Sequence, residues 1–339
     1  MTSRKRVLSG HRPTGYLHLG HLVGALSSWI EMQDRYDCFY AIVDWHALTT
    51  GYSDTSGISD YTLSTVADWV AAGMDPAKST IFVQSDVKEH AEMHLLLSMI
   101  TPLPWLERVP TYKEQRQQLI DRDLNTYGFL GYPVLQAADI VLYGADLVPV
   151  GEDQLPHIEL TREIVRRFNG LYGEVLVEPA GTTTTTPRLP GTDGRKMSKS
   201  YENTLSLSET QEDRWKKLSK MITDPARKRR HDPGTPEICP VFAVHKAFTP
   251  PSRVEEIADG CRTAALGCVD CKKDLAGRLE ERLAPIRERR RELLDKPEEL
   301  RSILHDGAGR AREVASRTIE RARAAMGLGR HALSSREGS

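Results

Sequence analysis

The chain has 339 residues, 39% hydrophobic and 27% charged, and these fractions are those of a globular protein with a substantial core. No apolar run approaches the roughly 20 residues that a membrane-spanning helix needs, so membrane insertion is not expected. The 46 basic and 47 acidic residues leave a net charge of −1, which gives no overall signal for a nucleic-acid partner. The basic N-terminus lacks the apolar segment of a secretory signal, and we expect a cytoplasmic protein.

Strand-like and helix-like segments alternate through the first half of the chain. Four short apolar runs, rich in β-branched or aromatic residues, predict buried strands at 7–8, 38–43, 80–83 and 147–150. After the first run, apolar residues recur at helical spacing at Leu22, Leu26, Trp29 and Ile30. A second helix is predicted from Asp60 to about Gly73. This alternation predicts an α/β fold with a doubly wound parallel sheet and helices on both faces.

The second half of the chain is predicted to be helical from about residue 205. Apolar residues recur there every three or four positions among many charges, at Leu275, Leu279, Leu283, Ile286, Val314, Ala315, Thr318, Ala322 and Met326. A threonine run at 182–186 and a Pro/Gly-rich segment at 187–194 lie between the two halves. Their composition predicts a loop or linker.

The segment that follows the first predicted strand, SGHRPTGYLHLGHLVGAL at 9–26, has the features of an anion-binding turn. Its glycines and proline mark a strand-to-helix turn, where backbone N–H groups and a helix N-terminus can face an anion. His18 and His21 are three residues apart and can project toward the same phosphate. The spacing matches neither a Walker loop nor the standard dinucleotide motif. Taken alone, two surface histidines near a helix cap are the simpler interpretation.

A second cationic segment, GRKMSKSYEN at 194–203, has three basic side chains and two serines within six positions. The segment has almost no apolar side chains that could be buried in a core, so we expect a mobile, positively charged loop. Ammonium groups on a closing loop can stabilise the charge that develops on a triphosphate during phosphoryl or adenylyl transfer. The alternative is an exposed lysine-rich linker with no ligand.

HLGH at 18–21 together with KMSKS at 196–200 resembles the two signatures of class I aminoacyl-tRNA synthetases. The resemblance implies a Rossmann-like catalytic domain at 1–200 and a C-terminal helical tRNA anticodon-binding domain at 205–310. It also implies a C-terminal helix and tail at 311–339 that pack back on the catalytic domain.

The same resemblance implies roles for individual residues. His18 and His21 would hold ATP, and Lys196 and Lys199 would stabilise the departing pyrophosphate, which makes these four the expected catalytic residues. The GEDQ segment resembles the part of the family that binds adenosine. The implied ATP-binding residues are Arg12, Pro13, Thr14, Gly20, His21, Gly151, Glu152, Asp153, Leu189, Lys196, Met197, Ser198, Lys199 and Ser200.

The stretch GYPVLQAADIVLYGADLVPVGEDQLPHIELTREI at 131–164, with IVDWHALT at 42–49, closely resembles tryptophanyl-tRNA synthetases. In that family the aspartate at the position of Asp139 accepts a hydrogen bond from the indole N–H. A carboxylate at the floor of a pocket selects indole over phenylalanine, which has no donor. For the pocket valines, core packing is an equally good interpretation. The implied tryptophan-binding residues are Asp139, Tyr132, Gln136, His46, Gln154, Val148 and Val150.

The sequence also departs from the family pattern. Many members have Thr-Ile-Gly-Asn in place of HLGH and glutamine in place of Arg12, and many carry methionine where this chain has Gln136. These departures affect details of the pocket rather than the reaction.

Four of the five cysteines are clustered in the helical half, with 21, 6 and 2 residues between them. Clustered thiols in an intracellular chain indicate metal or cluster ligation rather than disulfides. Four thiolates fit tetrahedral zinc or a 4Fe–4S cluster, and four free thiols are the remaining alternative. The spacing resembles a subset of tryptophanyl-tRNA synthetases with a 4Fe–4S cluster, so we expect the cluster, with Zn²⁺ as the alternative. The predicted ligands are Cys239, Cys261, Cys268 and Cys271, whereas Cys38 is predicted to be a core thiol.

The resemblance as a whole implies a homodimeric ligase that activates L-tryptophan with ATP and Mg²⁺ and transfers it to the 3′ end of tRNA(Trp). No membrane or DNA partner is expected. The alternatives are a tyrosyl-tRNA synthetase, a regulatory paralogue that binds tryptophan, nucleotide or RNA, and an auxiliary enzyme with a redox-sensing cysteine site. The AADI segment favours tryptophan over tyrosine, and the intact KMSKS favours a catalyst over a binding protein.

Overall fold

A five-stranded parallel sheet forms the centre of the fold in the computed structural model, which describes residues 4–110, 112, 123–183 and 189–329. The strand order is β3-β2-β1-β4-β5, and every neighbouring pair is parallel. The strands are β1 (Arg6–His11), β2 (Asp37–Ile42), β3 (Ser79–Val83), β4 (Leu147–Val150) and β5 (Ala180–Thr183). The predicted α/β class and parallel sheet are confirmed.

Both faces of this sheet are buried, as the apolar runs predicted. Side chains alternate along each strand, so that Val7 and Tyr40 enter one core and their neighbours Leu8 and Phe39 enter the other. A strand that is covered on both sides needs apolar residues at successive positions. The predicted helices on both faces are therefore confirmed.

The helices of the α/β region are α1 (Leu19–His21), α2 (Ser27–Met32), α3 (Asp44–Gly51), α4 (Ile58–Ala72), α5 (Glu89–Ser98), α6 (Leu103–Glu107), α7 (Tyr127–Leu142) and α8 (Leu155–Tyr172). A π-helical turn, Leu22–Leu26, connects α1 to α2. The helix predicted from Asp60 is α4, which begins two residues earlier. It ends as expected at Gly73, where φ is +118° and the left-handed conformation favours glycine.

The prediction of a loop from residue 182 onward is wrong at its start. Thr182 and Thr183 belong to β5, where they pair with Pro149 and Val150. A run of threonines has low complexity, but threonine is β-branched and is well suited to an edge strand. Residues 184–188 of the predicted linker lie outside the described residues.

The helical half contains α9 (Gln211–Lys220), α10 (Pro240–Phe248), α11 (Pro251–Arg262), α12 (Cys268–Leu294) and α13 (Pro297–Ala325). No strand occurs between residues 207 and 329, all of which are described, so the predicted change to helix is confirmed. The apolar series at 275–286 is buried along α12. Within the described ranges, every helix is too short or too polar to span a membrane.

The last long helix, α13, packs directly on the sheet. Gly307 lies against the β3 backbone, where an added Cβ would come within 1.7 Å of the Ile81 carbonyl oxygen. Ala308, Ala311 and Ala315 follow on the same buried side. Small side chains therefore allow helix and strand to approach closely. The core on the opposite face of the sheet continues into α9 and α12, and the domain boundaries at 200, 205 and 310 stay a prediction.

Candidate active site

The two signature segments contact each other although they are far apart in the sequence. An antiparallel bridge joins His18 to Ser206, just beyond the KMSKS loop. The Lys199 ammonium donates a hydrogen bond to the Gly15 carbonyl oxygen at 2.7 Å. Gly15 has a φ of +129°, and an added Cβ would lie 3.1 Å from Cδ of Lys199. The turn after β1 and the basic loop therefore form one site at the carboxyl end of the sheet.

His18 and His21 fix each other's orientation at the start of α1. Nδ1 of His18 accepts from the Gly20 N–H, and Nδ1 of His21 accepts from the His18 N–H, each at 3.1 Å. Burial, followed by the charges of Lys199 and Lys196, lowers the pKa of His18 to about 4, and the pKa of His21 is also well below its usual value. Both imidazoles are therefore neutral near pH 7. Each carries its proton on Nε2, where it can donate to an anion.

The KMSKS loop is organised by Asn203, which is 2% exposed. The Ser198 N–H donates to its Oδ1 at 2.8 Å, and its Nδ2 donates to the Lys196 carbonyl at 3.1 Å and to Asp193 at 2.7 Å. At Gly191 an added Cβ would lie only 2.2 Å from Cγ of Asn203. The base of the loop is thus fixed by a residue to which sequence analysis gave no role. The signal available in the sequence was an asparagine a few residues after a basic run.

The other predicted ATP-binding residues lie close to these segments or at the end of β4. Met197 is buried, and its N–H donates to the Leu189 carbonyl at 2.9 Å, so this pair anchors the loop. Glu152 and Asp153 are exposed on a short 3₁₀ turn directly after β4. Pro13, Thr14 and Gly20 belong to the turn after β1 and the start of α1, and Ser200 lies in the KMSKS loop.

A cavity of about 340 Å³ opens at the carboxyl ends of β1 and β4. It brings together all seven predicted tryptophan-binding residues with two from the predicted ATP set. These residues are Asp139, Tyr132, Gln136, His46, Gln154, Val148, Val150, Arg12 and Gly151. Sequence analysis did not find several further wall residues, among them Leu8, Trp29, Val43 and His157.

Asp139 is 4% exposed and is held by three side chains. Nδ1 of His90 lies 2.6 Å from Oδ1, Nε2 of Gln84 lies 2.8 and 3.0 Å from the two oxygens, and Nε2 of His46 lies 2.9 Å from Oδ2. On its other side, Nε2 of His90 lies 2.7 Å from the Tyr143 hydroxyl. Because an ionised carboxylate only accepts, His90 donates from Nδ1, and in the neutral ring its Nε2 accepts the Tyr143 proton.

This network keeps Asp139 ionised. Burial alone would raise the pKa of its carboxyl group, but His90 and His46 outweigh that effect, and the pKa lies well below its ordinary value. The charged carboxylate can therefore accept a further hydrogen bond from a ligand in the cavity. Sequence analysis missed Gln84, His90 and Tyr143, although a polar run directly after the third predicted strand was a usable signal for the first two.

The four clustered cysteines line one small pocket between α10, α11 and α12. Burial and the three neighbouring sulfurs raise the pKa of Cys271 to about 12. Nη1 of Arg227 lies 3.8 Å from Sγ of Cys261 on the pocket wall. Among the described residues, no group of three or more His, Cys, Asp and Glu is arranged to hold a metal ion. Cys38 is 1% exposed in the core, as predicted.

The sequence contains two basic runs, at 227–230 and 287–291, each of which is either a candidate for nucleic-acid contact or a solvated helix face, and their surroundings differ. The run at 287–291 forms ion pairs with acidic residues of α12 and, through Arg290, with Asp68. The residues at 228–230 are exposed beside the cysteine pocket. The structure therefore favours a solvated, paired helix face for the first run and leaves the second available.

The HLGH and KMSKS segments meet at the carboxyl end of a parallel sheet, beside one cavity. This is the arrangement of a class I tRNA synthetase. A family profile described as tRNA synthetases class I (W and Y) matches residues 1–284, and the chain belongs to this family. The tryptophan–tRNA ligase of Thermotoga maritima is 54% identical over 325 residues, which cover 95% of this chain and 99% of that protein.

Solved structures agree with this assignment. The tryptophanyl-tRNA synthetase of Campylobacter jejuni, complexed with ADP and tryptophan, has a TM-score of 0.87 and 34% identity, and the match covers 95% of this chain and 100% of that one. The tyrosyl-tRNA synthetase of Archaeoglobus fulgidus has a TM-score of 0.66 at 23% identity, which shows a shared fold alone.

Proposed function

We infer that this chain is a tryptophan–tRNA ligase, which activates L-tryptophan with ATP and transfers it to tRNA(Trp). The observation that carries this inference is the cavity with an ionised, fully supported carboxylate on its wall. Indole has one N–H donor and no acceptor, so a group that only accepts matches it. Arg12 lines the same cavity and lies within electrostatic range of Lys199, which links the amino-acid site to the basic loop.

In the first step, a carboxylate oxygen of tryptophan attacks the α-phosphate of ATP, and the bond to the leaving pyrophosphate breaks. The Nε2–H groups of His18 and His21 donate to phosphate oxygens. Lys196 and Lys199 neutralise the charge that develops on the pyrophosphate. Mg²⁺ enters bound to the triphosphate as part of the substrate. The product is tryptophanyl-adenylate.

In the second step, a hydroxyl of the terminal adenosine of tRNA attacks the activated carbonyl, and AMP leaves. The ester bond that forms joins tryptophan to the 3′ end of the tRNA. The helical region at 205–310 holds the anticodon end of the tRNA. It recognises the unpaired bases there through stacking and contacts to the base edges. The exposed basic residues at 228–230 are the expected phosphate contacts in that region.

The test is ATP–pyrophosphate exchange with each of the twenty amino acids offered separately. We expect exchange with tryptophan and none with the others at matched concentration. Exchange with tyrosine instead would identify a tyrosyl enzyme. Binding of tryptophan without any exchange would identify a regulatory paralogue.

We propose further that the four cysteines hold a 4Fe–4S cluster. Four thiols share one pocket, and burial, followed by the neighbouring sulfurs, raises the pKa of Cys271, a cost that a cationic centre would relieve. The cysteine spacing, which resembles that of the cluster-bearing members of the family, favours the cluster over a single zinc. Such a cluster can carry an electron, but neither step above transfers one, so its role here is structural or in recognition.

Iron, sulfide and zinc analysis of protein purified without oxygen tests this assignment. We expect about four irons per chain, lost in Cys268→Ser and retained in the matched variant Cys38→Ser, whose thiol lies in the core. One zinc per chain without iron would support the alternative ion. The absence of both metals would support four free thiols.

The homodimer is also a proposal, and an exposed apolar patch supports it. Leu95, Met99, Leu103 and Tyr127 are between 53% and 70% exposed on α5, directly after it, on α6 and at the start of α7, with the first two one helical turn apart. Light scattering during gel filtration should give a dimer for the wild type and a monomer for Met99→Glu. Leu171→Glu, at another exposed apolar site, on α8, should stay dimeric. A monomeric wild type would contradict the proposal.

A further inference from the structure

A buried ion pair joins α4 to α12 beneath the ATP side of the fold. Asp68 is 1% exposed, and its Oδ1 lies 2.7 Å from Nε of Arg290. Nη2 of Arg290 also donates to the Ser64 hydroxyl at 2.8 Å. Burying two charges costs them their hydration, so a buried pair is weak evidence for a role in stability alone. Its neighbours therefore indicate what else it does.

The Asp68 carboxylate lies near both signature segments. It lies close to the backbone of Leu17, the residue directly before His18, and within electrostatic range of Lys199. Trp69, the next residue of α4, contacts the ring of His11 at a centroid distance of 6.5 Å, so α4 packs against the turn that carries the first signature. Burial and the charge of Arg12 lower the pKa of Lys199 to about 8, and Asp68 acts in the opposite direction.

We propose that Asp68, held in place by Arg290 and Ser64, is a positioning residue for the ATP step: it holds the segment before His18 beside Lys199, where the triphosphate binds. The proposal rests on the function proposed above. Neither member of the ion pair lines the tryptophan cavity. We therefore expect the ion pair to affect the binding and reaction of ATP and to leave tryptophan recognition unchanged.

The position of Arg290 extends this role to the helical half. Arg290 lies near the end of α12, the helix that begins with Cys268 and Cys271. This helix runs over 27 residues, about 40 Å, and continues through Pro285 without interruption. The same ion pair therefore connects the helix of the cysteine pocket to the ATP site.

Steady-state exchange kinetics with ATP and tryptophan varied separately test the proposal. In Asp68→Asn we expect kcat/KM for ATP to fall by about tenfold or more, the size expected for a lost charge-assisted hydrogen bond, while the KM for tryptophan changes by less than about twofold. Arg290→Met should lower kcat/KM for ATP, whereas Arg290→Lys, which keeps the charge, should retain most of the wild-type value. Arg289→Met is the matched control, because Arg289 lies on the same helix but pairs with Glu292 at the surface.

A double variant, Asp68→Leu with Arg290→Met, removes both charges so that neither partner is left buried and unpaired. We expect it to unfold at a temperature near that of the wild type and to keep the ATP defect. Wild-type ATP kinetics in this folded double variant would overturn the proposal. Equal losses for ATP and tryptophan, or loss of folding in every variant, would assign the pair to stability and overturn it too.

The outcome separates this inference from the proposed function. If the wild type shows no tryptophan-dependent exchange, the proposed function fails. Calorimetric titration with ATP then still compares wild type with Asp68→Asn. Equal affinity of the two proteins for ATP in that titration would overturn the positioning role by itself.

Discussion

The tryptophan cavity and the KMSKS loop are neighbours, but their charged groups are held in opposite ways. In the cavity, Asp139 is 4% exposed and accepts hydrogen bonds from Gln84, His46 and His90. In the loop, Lys196 is exposed, and the backbone is fixed mainly at its base by Asn203. One region holds a single negative charge with three side chains, and the other presents positive charges on a loop that is fixed at its base.

This difference matches the two tasks of the reaction. Selecting indole from other side chains requires an acceptor that cannot turn toward a different ligand. Stabilising a leaving group requires charge that interacts more strongly with the transition state than with bound ATP. Changes in the cavity should therefore alter which amino acid is used, and changes in the loop should alter the rate for the correct one.

Asp139→Ala should have the largest effect. We expect kcat/KM for tryptophan to fall by roughly 1,000-fold, because the indole N–H loses its acceptor and His46 and His90 lose theirs. The preference for tryptophan over phenylalanine should nearly disappear, while the KM for ATP changes little. Exchange assays with both amino acids measure this. Val150→Ala, in the wall of the same cavity, should keep the preference. Undiminished discrimination in the alanine variant at 139 would place the indole contact elsewhere.

Lys199→Ala should have the next largest effect and should spare recognition. We expect exchange to slow by about 100-fold, because the lost charge acts mainly in the transition state. Equilibrium binding of tryptophan should change by less than about twofold. Arg195→Met is the control in the same loop, since Arg195 pairs locally with Asp193 and lies over the Tyr201 ring. Intact exchange in the alanine variant would remove the role assigned to Lys199.

The sequence predicted the groups that lie next to a motif in the chain. Four of the five strands, the helical second half and seven of the residues that line the cavity followed from apolar periodicity or from segments that resemble the family. β5 was missed because its threonines give no apolar run, although pairing with β4 provides the hydrogen bonds that make it a strand.

The supporting groups could not be predicted, because they depend on contacts between distant parts of the chain. His90 lies in α5 and Tyr143 directly follows α7, and only the fold brings the two side chains together beside Asp139. Asp68 and Arg290 are 222 positions apart and fit the helical pattern of their own segments without any sign of a partner. Sequence reasoning therefore found Asp139 and part of the cavity wall and missed most of the groups that hold this carboxylate.

The pH dependence of the ATP step should reflect Lys199. Since kcat/KM reports on the free enzyme, it should be flat below about pH 8 and fall above it by up to roughly tenfold per pH unit, as the lysine loses its charge. His18, with a pKa of about 4, stays neutral throughout this range. Lys199→Arg keeps its charge and should lack the alkaline decline. An unchanged decline in that variant would assign it to another group.

The smallest effect is expected from Tyr143→Phe, which removes the hydroxyl that donates to His90 and leaves the ring in place. Without that donor, His90 is held less firmly in the tautomer that donates to Asp139, so kcat/KM for tryptophan should fall by about 2- to 10-fold with ATP parameters unchanged. Tyr52→Phe is the control, because its exposed hydroxyl donates to the Asp123 carbonyl, away from Asp139 and His90. If the two variants behave alike, Gln84 and His46 are sufficient to hold the carboxylate. The rigidity of the cavity then does not depend on the hydrogen bond between Tyr143 and His90.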